Sequence, residues 1–207
     1  VTLGANVPKM NNADMQSTGF ELDLGWRDRI KDFDYGVHLL LSDDRQKILK
    51  YPNTTGKINT WYVGKYNGDI WGFETIGIAK SQEEMDAHLA SLPNGGQDAL
   101  GVKWGAGDIM YRDMNGDGKI SDGATLNDPG DKKVIGNTSP RFRFGLDLNA
   151  SWKGIDVRLF FQGVAKRDAW LNDNMFWGAT GGIWQSACFT SHLDFFREEG
   201  DDFWSAN

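Results

Sequence analysis

Residues 141–164 read RFRFGLDLNASWKGIDVRLFFQGV, two alternating runs joined by Lys153-Gly154. In the first run Phe142, Phe144, Leu146, Leu148, Ala150 and Trp152 share one parity. Arg141, Arg143, Gly145, Asp147, Asn149 and Ser151 share the other. Successive side chains of a strand point to opposite faces, so this spacing predicts a strand with one apolar and one polar side. After the turn, Ile155, Val157, Leu159 and Phe161 oppose Asp156, Arg158 and Gln162, and Phe160 breaks the pattern. Each run is about ten residues, the length of a tilted membrane-spanning strand.

Working upstream, residues 19–48 carry a second hairpin of the same design. Phe20, Leu22, Leu24 and Trp26 alternate with Glu21, Asp23, Gly25 and Arg27. Lys31 to Asp34 is a short polar connection, and Tyr35, Val37, Leu39 and Leu41 then alternate with Gly36, His38 and Ser42, with Leu40 the exception. Val1 to Thr18 is polar and reads as loop. Residues 49–140 form a long connection, which in a compact domain is normally structured or functional. Within it Ile58–Tyr66 and Asp69–Ile78 flank Asn67-Gly68, a strong hairpin-turn signal. Residues 81–92 read as a helix: Ser81 and Glu84 have capping-box spacing, Met85, Leu89 and Leu92 line one side, and Pro93-Asn94-Gly95 ends it. Residues 165–207 read as a further loop, aromatic and glycine-rich and then acidic.

Composition narrows the function classes. The 207 residues are 40% hydrophobic and 25% charged, with a mean hydropathy of -0.50. Those values suit a soluble domain and equally a barrel, whose strands spend only every second residue on lipid. No apolar run approaches the roughly 20 residues of a transmembrane helix. Val1 begins neither a basic start nor the apolar core of a signal peptide, so the chain is expected to be mature or a piece of something longer. A net charge of -7 argues against nucleic acid, which needs a basic footprint. Cys188 is alone, so neither an intrachain disulfide nor a cysteine metal site is expected.

The tight connections, Lys31–Asp34 and Lys153-Gly154, fall at one end of the four predicted strands, and the long ones at the other. Outer-membrane barrels are laid out in this way. A soluble β-sandwich alternates too, with its apolar face turned to a core, so the pattern alone leaves sandwich and barrel both open.

Specific motifs point further. GDIMYRDMNGDGKIS (107–121) and VIGNTSPRFRFGLDLNASWKGIDVRLFFQGVAKRDAW (134–170) resemble the late-barrel signature of SusC/RagA-type TonB-linked outer-membrane proteins of Bacteroidota. GFELDLGWRDRIKDFDYGVHLLLSDDRQKI (19–48) and WGFETIGIAKSQEE (71–84) resemble that family's preceding hairpin and loop. The stretch GATLNDPGDKK (123–133) is longer than the family pattern leads one to expect. The resemblance implies an all-β fold, part of a large antiparallel transmembrane barrel of about 22 strands around a plugged lumen. It implies a cell outer-membrane location in a Gram-negative bacterium and a transporter rather than an enzyme. Its implied partners are a SusD-like surface lipoprotein, the TonB complex through parts of the protein outside this stretch, outer-membrane lipid, and an oligosaccharide or peptide substrate. The alternative is a soluble calcium-binding β module for glycan binding or adhesion.

Few residues offer chemistry of their own. Asp113, Asn115 and Asp117 take positions 1, 3 and 5 of a candidate calcium loop, with Gly118 at 6 and the backbone carbonyl of Lys119 at 7. Position 12 is Ala124, so Asp122 would have to substitute, or Asp128 or Asp131 fold back. The plainer alternative is a turn held by its own side-chain hydrogen bonds. Either way no cofactor is required, and calcium would stiffen a loop. Trp61, Trp71, Trp104, Trp177 and Trp184 are candidate substrate or partner contacts, against loop packing and an interface girdle. Glu83/Glu84, Glu198/Glu199 and Asp201/Asp202 are adjacent pairs that read as solvated. His38, His88 and His192 have no zinc spacing; His38 is expected toward a lumen and His88 on the helix surface.

Overall fold

The computed structural model describes residues 11–171 and Thr190. The chain divides into two compact units, residues 1–70 with 136–168, and residues 71–135 with 169–207.

The first unit is built on one antiparallel sheet of β1 (Asp14–Ile30), β2 (Phe33–Lys50), β7 (Arg141–Trp152) and β8 (Ile155–Lys166), in the order β1-β2-β7-β8. Both predicted hairpins form. Their turns are tight, and Lys31 and Lys153 take positive φ at 56° and 47°, followed in the second turn by Gly154 at 86°. Positive φ at both central residues gives the second turn the twist that hairpin strands need. The strand at the N-terminal end begins at Asp14, inside the stretch expected to be loop, because β2 continues to Lys50 and gives residues 14–20 a partner.

The expected hairpin around Asn67-Gly68 does not form. The turn is present, with Gly68 at φ 87° and the Asp69 amide donating to the Tyr66 carbonyl at 3.2 Å, but Ile58–Tyr66 is not a strand. Instead Tyr66 makes an isolated bridge to Lys47, and β3 (Asp69–Phe73) pairs with β6 (Lys132–Asn137). Residues far along the chain decide this. The Asn137 Nδ2 and Ser139 Oγ both donate to the Asn67 carbonyl at 2.9 Å, and the Thr138 amide donates to the Gly68 carbonyl at 2.9 Å.

The second unit holds β4 (Thr75–Ile78) paired with β5 (Ile109–Tyr111), and α1 (Gln82–Ala90). The Ser81 Oγ accepts from the Glu84 amide as predicted, while the Glu84 carboxylate reaches the Lys80 amide, one residue further back than a capping box. Ala79, Met85 and Met110 form the small core, with Leu89 and Trp104 packed against it. Met85 and Leu89 lie one turn apart on the helix, so a single face suffices to reach that core.

Candidate functional site

The register of the sheet assembles its apolar residues into rows. Leu22, Leu41, Phe144 and Gly163 align across the four strands, followed by Leu24, Leu39, Leu146 and Phe161, then Trp26, Val37, Leu148 and Leu159. Below them come Asp28, Tyr35, Ala150 and Val157, and last Ile30, Phe33, Trp152 and Ile155 beside the tight turns. Directly opposed residues share a face, so these rows are one continuous surface. Asp28 is the one charge in it, near the turns, where its carboxylate accepts from the Tyr35 hydroxyl at 3.4 Å.

This surface is bare among the described residues. Leu24 is 53% exposed, Trp26 64%, Phe161 51% and Ile155 61%. Phe20 to Ile30 spans about 34 Å along the strand, or about 26 Å along the normal at a 40° tilt, close to the apolar band of an outer-membrane barrel at about 25 Å. The footprint of the five rows is about 500 Å² before side-chain relief, at the upper end of patches on soluble monomers. The aromatic residues Trp26, Phe33 and Trp152 collect toward the turn end. Phe142 departs from its predicted place: it has φ 52°, and the ladder with β8 skips it between Arg141 and Arg143.

The opposite face is polar and knitted by ion pairs. His38 meets Asp23 at 2.6 Å, Arg158 Nε donates to Asp147 at 3.0 Å, and Arg143 pairs with Asp44. The two misfits of the pattern, Leu40 and Phe160, belong to this face and close over Gly145, where a Cβ would stand 3.8 Å from Leu40 and 4.0 Å from Phe160. The glycine leaves room beside both, yet they remain 43% and 58% exposed.

In the second unit the Asp113 loop is closed by its own backbone. Asp113 accepts from the Gly116 and Gly118 amides at 2.6 and 2.8 Å, Asn115 from Asp117 at 2.9 Å, and Asp117 from Lys119 at 3.1 Å. Burial pushes the Asp113 carboxyl up, but these backbone donors outweigh it and leave it below its ordinary value. Asp122 does not turn into the loop; it pairs with Lys132. Asp131 does fold back: it is fully buried and accepts from the Met114 amide at 2.8 Å, the Ser121 amide at 2.6 Å and the Ser121 hydroxyl at 3.0 Å. Asp128 accepts from the Gly130 amide at 3.4 Å. Among the described residues no group of three or more His, Cys, Asp or Glu side chains is placed to hold a metal ion. Glu74 is held below its ordinary value by the Lys133 ammonium, with Arg112 adding to the effect at 3.2 Å.

Three of the five candidate tryptophans are among the described residues. Trp61 lies in the first unit under the Lys65 ammonium, 5.9 Å from its ring. Trp71 lies in β3. Trp104 donates to the Gly101 carbonyl at 3.0 Å and meets Tyr111 edge-on at 6.3 Å, so it serves the core of the second unit. Trp177, Trp184, His192 and the acidic pairs at 198–199 and 201–202 lie outside the described residues. His88, expected on the helix surface, is half-buried. It meets the fully buried Gln97, whose Oε1 also accepts from the Tyr111 amide at 2.7 Å and whose Nε2 donates to the Ile109 carbonyl at 3.1 Å. Nothing in the glycine-rich stretch around Gln97 signals that hub.

No family model matches the chain. It is similar to two proteins of Formosa agariphila. One, TonB-dependent receptor P26, is 30% identical over 173 residues, covering 78% of this chain and 16% of the relative. The other, TonB-dependent receptor P3, is 22% identical over 173 residues, covering 77% and 16%. The chain therefore spans 16% of the length of each of these relatives.

Proposed function

We infer that this chain is a length of barrel wall, with outer loops, from a TonB-dependent receptor of the outer membrane, the family its two relatives support. The observation that carries this reading is the uncovered apolar face of the four-stranded sheet, set back to back with a polar face of ion pairs. A sheet of that kind is stable where one side meets lipid and the other a hydrated lumen. In a sandwich the same rows would lie beneath a second sheet.

The finer proposal is a SusC/RagA-type importer. Its wall and loops would take up a glycan, or a peptide, together with a SusD-like lipoprotein, and a pull from TonB on the periplasmic side would open the path. The motifs at 107–121 and 134–170 support this part. The chain contributes no catalytic step to it: its side chains line, seal and position.

The test is fractionation of cells producing the whole receptor, combined with uptake of a labelled oligosaccharide. The receptor is expected in the outer membrane, to co-purify with a surface lipoprotein, and to lose uptake when a protonophore collapses the inner-membrane gradient. A soluble receptor would overturn the membrane assignment. Uptake indifferent to the protonophore would overturn the TonB assignment.

A further inference from the structure

The apolar face changes character at the end remote from the tight turns. Beyond the Phe20 position the same face continues as Thr18 opposite Arg45, then Gln16 opposite Lys47, with Tyr66 bridged to Lys47 on the other side. These residues, with Gly19, Phe20 and Asp43, line a concavity of about 520 Å³. The Arg45 guanidinium stands 5.4 Å and the Lys47 ammonium 5.7 Å from the centre of the Tyr66 ring. One ring thus holds both cations over the hollow. The Asp43 carboxylate is bound by Arg141 and by the Phe142 amide at 3.3 Å, and acts on Arg45 only through the weaker field at a distance. Among the described residues no carboxylate forms an ion pair with Arg45 or Lys47.

We propose that this hollow holds the phosphate of an outer-leaflet lipid, with Arg45 and Lys47 as its ligands and Phe20 and Leu22 against its acyl chains. The inference rests on the membrane reading above and deepens it. Register decides between a lipid and a soluble anion. Arg45 and Lys47 share the face of Leu22, Leu24 and Trp26, whereas the opposite face at this level carries Gly19 opposite Asp44 and Ser17 opposite Gln46. The occupant must be apolar below and anionic above. Arginine offers phosphate a fork of donors and lysine a compact charge, and neither recognises an acyl chain.

The test uses the whole receptor in maltoside micelles, titrated separately with dimyristoyl phosphatidic acid, dimyristoyl phosphatidylcholine and inorganic phosphate, with bound lipid counted by native mass spectrometry. Phosphatidic acid is expected to bind in preference to phosphatidylcholine, and Arg45→Gln with Lys47→Gln is expected to weaken it about thirtyfold, the effect of two cations near an anionic surface. The Arg45→Lys, Lys47→Arg exchange is expected to retain it. Equal binding of both lipids, or no loss in the double glutamine variant, would overturn the proposal. Inorganic phosphate competing as well as phosphatidic acid would show a soluble-anion site and overturn the lipid assignment. A receptor that folds without detergent would instead overturn the membrane reading itself, so the two failures are distinguishable.

Discussion

Leu24 lies directly opposite Leu39 across β1 and β2, in the second of five apolar rows, and remains more than half exposed. In water a substitution at so open a site shifts stability by about 0.5 kcal/mol or less. Near the middle of a bilayer an arginine on the lipid face costs about 2–4 kcal/mol. Leu24→Arg is therefore expected to lower the folding stability of the receptor in lipid bilayers by about 2–4 kcal/mol, measured by reversible denaturant unfolding. Glu21→Gln, on the opposite face, is expected to be near neutral.

Gly123 and Gly130 approach backbone to backbone at the base of the 123–133 loop. A Cβ on Gly123 would stand 2.1 Å from the Gly130 nitrogen and 2.1 Å from the Pro129 carbonyl carbon. Backbone cannot swing away as a side-chain tip can. Gly123→Ala is expected to cost about 3 kcal/mol. Amide hydrogen exchange at Ser121 and Asp131 should report it as lost protection, while Gly116→Ala, with open space but φ 75°, is expected to cost only about 1 kcal/mol of local backbone strain and to leave those amides protected.

Asp131 ties the Asp113 loop to β6. Asparagine there presents one acceptor oxygen where the carboxylate presents two, so either the Met114 or the Ser121 amide is left unpaired. Asp131→Asn is expected to cost about 2 kcal/mol. Because amides hold this loop, the loss should be the same in EDTA and in excess calcium. A loop that gains stability on calcium addition would show instead that Asp113, Asn115 and Asp117 act as ligands.

Acid should loosen the same unit. Glu74 and Asp113 both titrate below their ordinary values of 4.5 and 3.8, so the unfolded chain takes up their protons first. Their contribution is complete above the ordinary carboxylate range and is lost as pH falls through the lowered values. Hydrogen exchange of the Gly116, Gly118 and Arg112 amides is expected to be flat from pH 7 to 5, once corrected for intrinsic rates, and to accelerate in more acid solution. Lys133→Met removes the main stabiliser of the Glu74 carboxylate, so exchange should be faster already at neutral pH and its acceleration in acid smaller.

The faces of the sheet were legible in the sequence because a strand has period two and a one-residue slip would invert every side chain. Leu40 and Phe160, which break the alternation, stand exposed on the polar face beside Gly145, as their parity requires. The extent of β2 was not legible. Asp43-Asp44-Arg45-Gln46-Lys47 carries no apolar period, and that stretch is a strand because β1 pairs along it. The partner of β3 was not legible either. Asn67-Gly68 announces a turn, but Asn137 and Ser139, about seventy residues on, decide which strand β3 joins. The buried roles of Gln97 and Asp131 arise from long-range hydrogen bonds that no local pattern encodes.

The most direct test of the central claim is a spin-label scan of residues 143–150 in the whole receptor, in bilayers and in a background with Cys188 and any other native cysteine replaced by Ser. Labels at 144, 146, 148 and 150 are expected to relax with oxygen dissolved in the lipid, and those at 143, 145, 147 and 149 are not, giving an alternation of period two along β7. Shielding of the even positions from oxygen, or their collision with a water-soluble nickel chelate, would contradict the lipid-facing assignment.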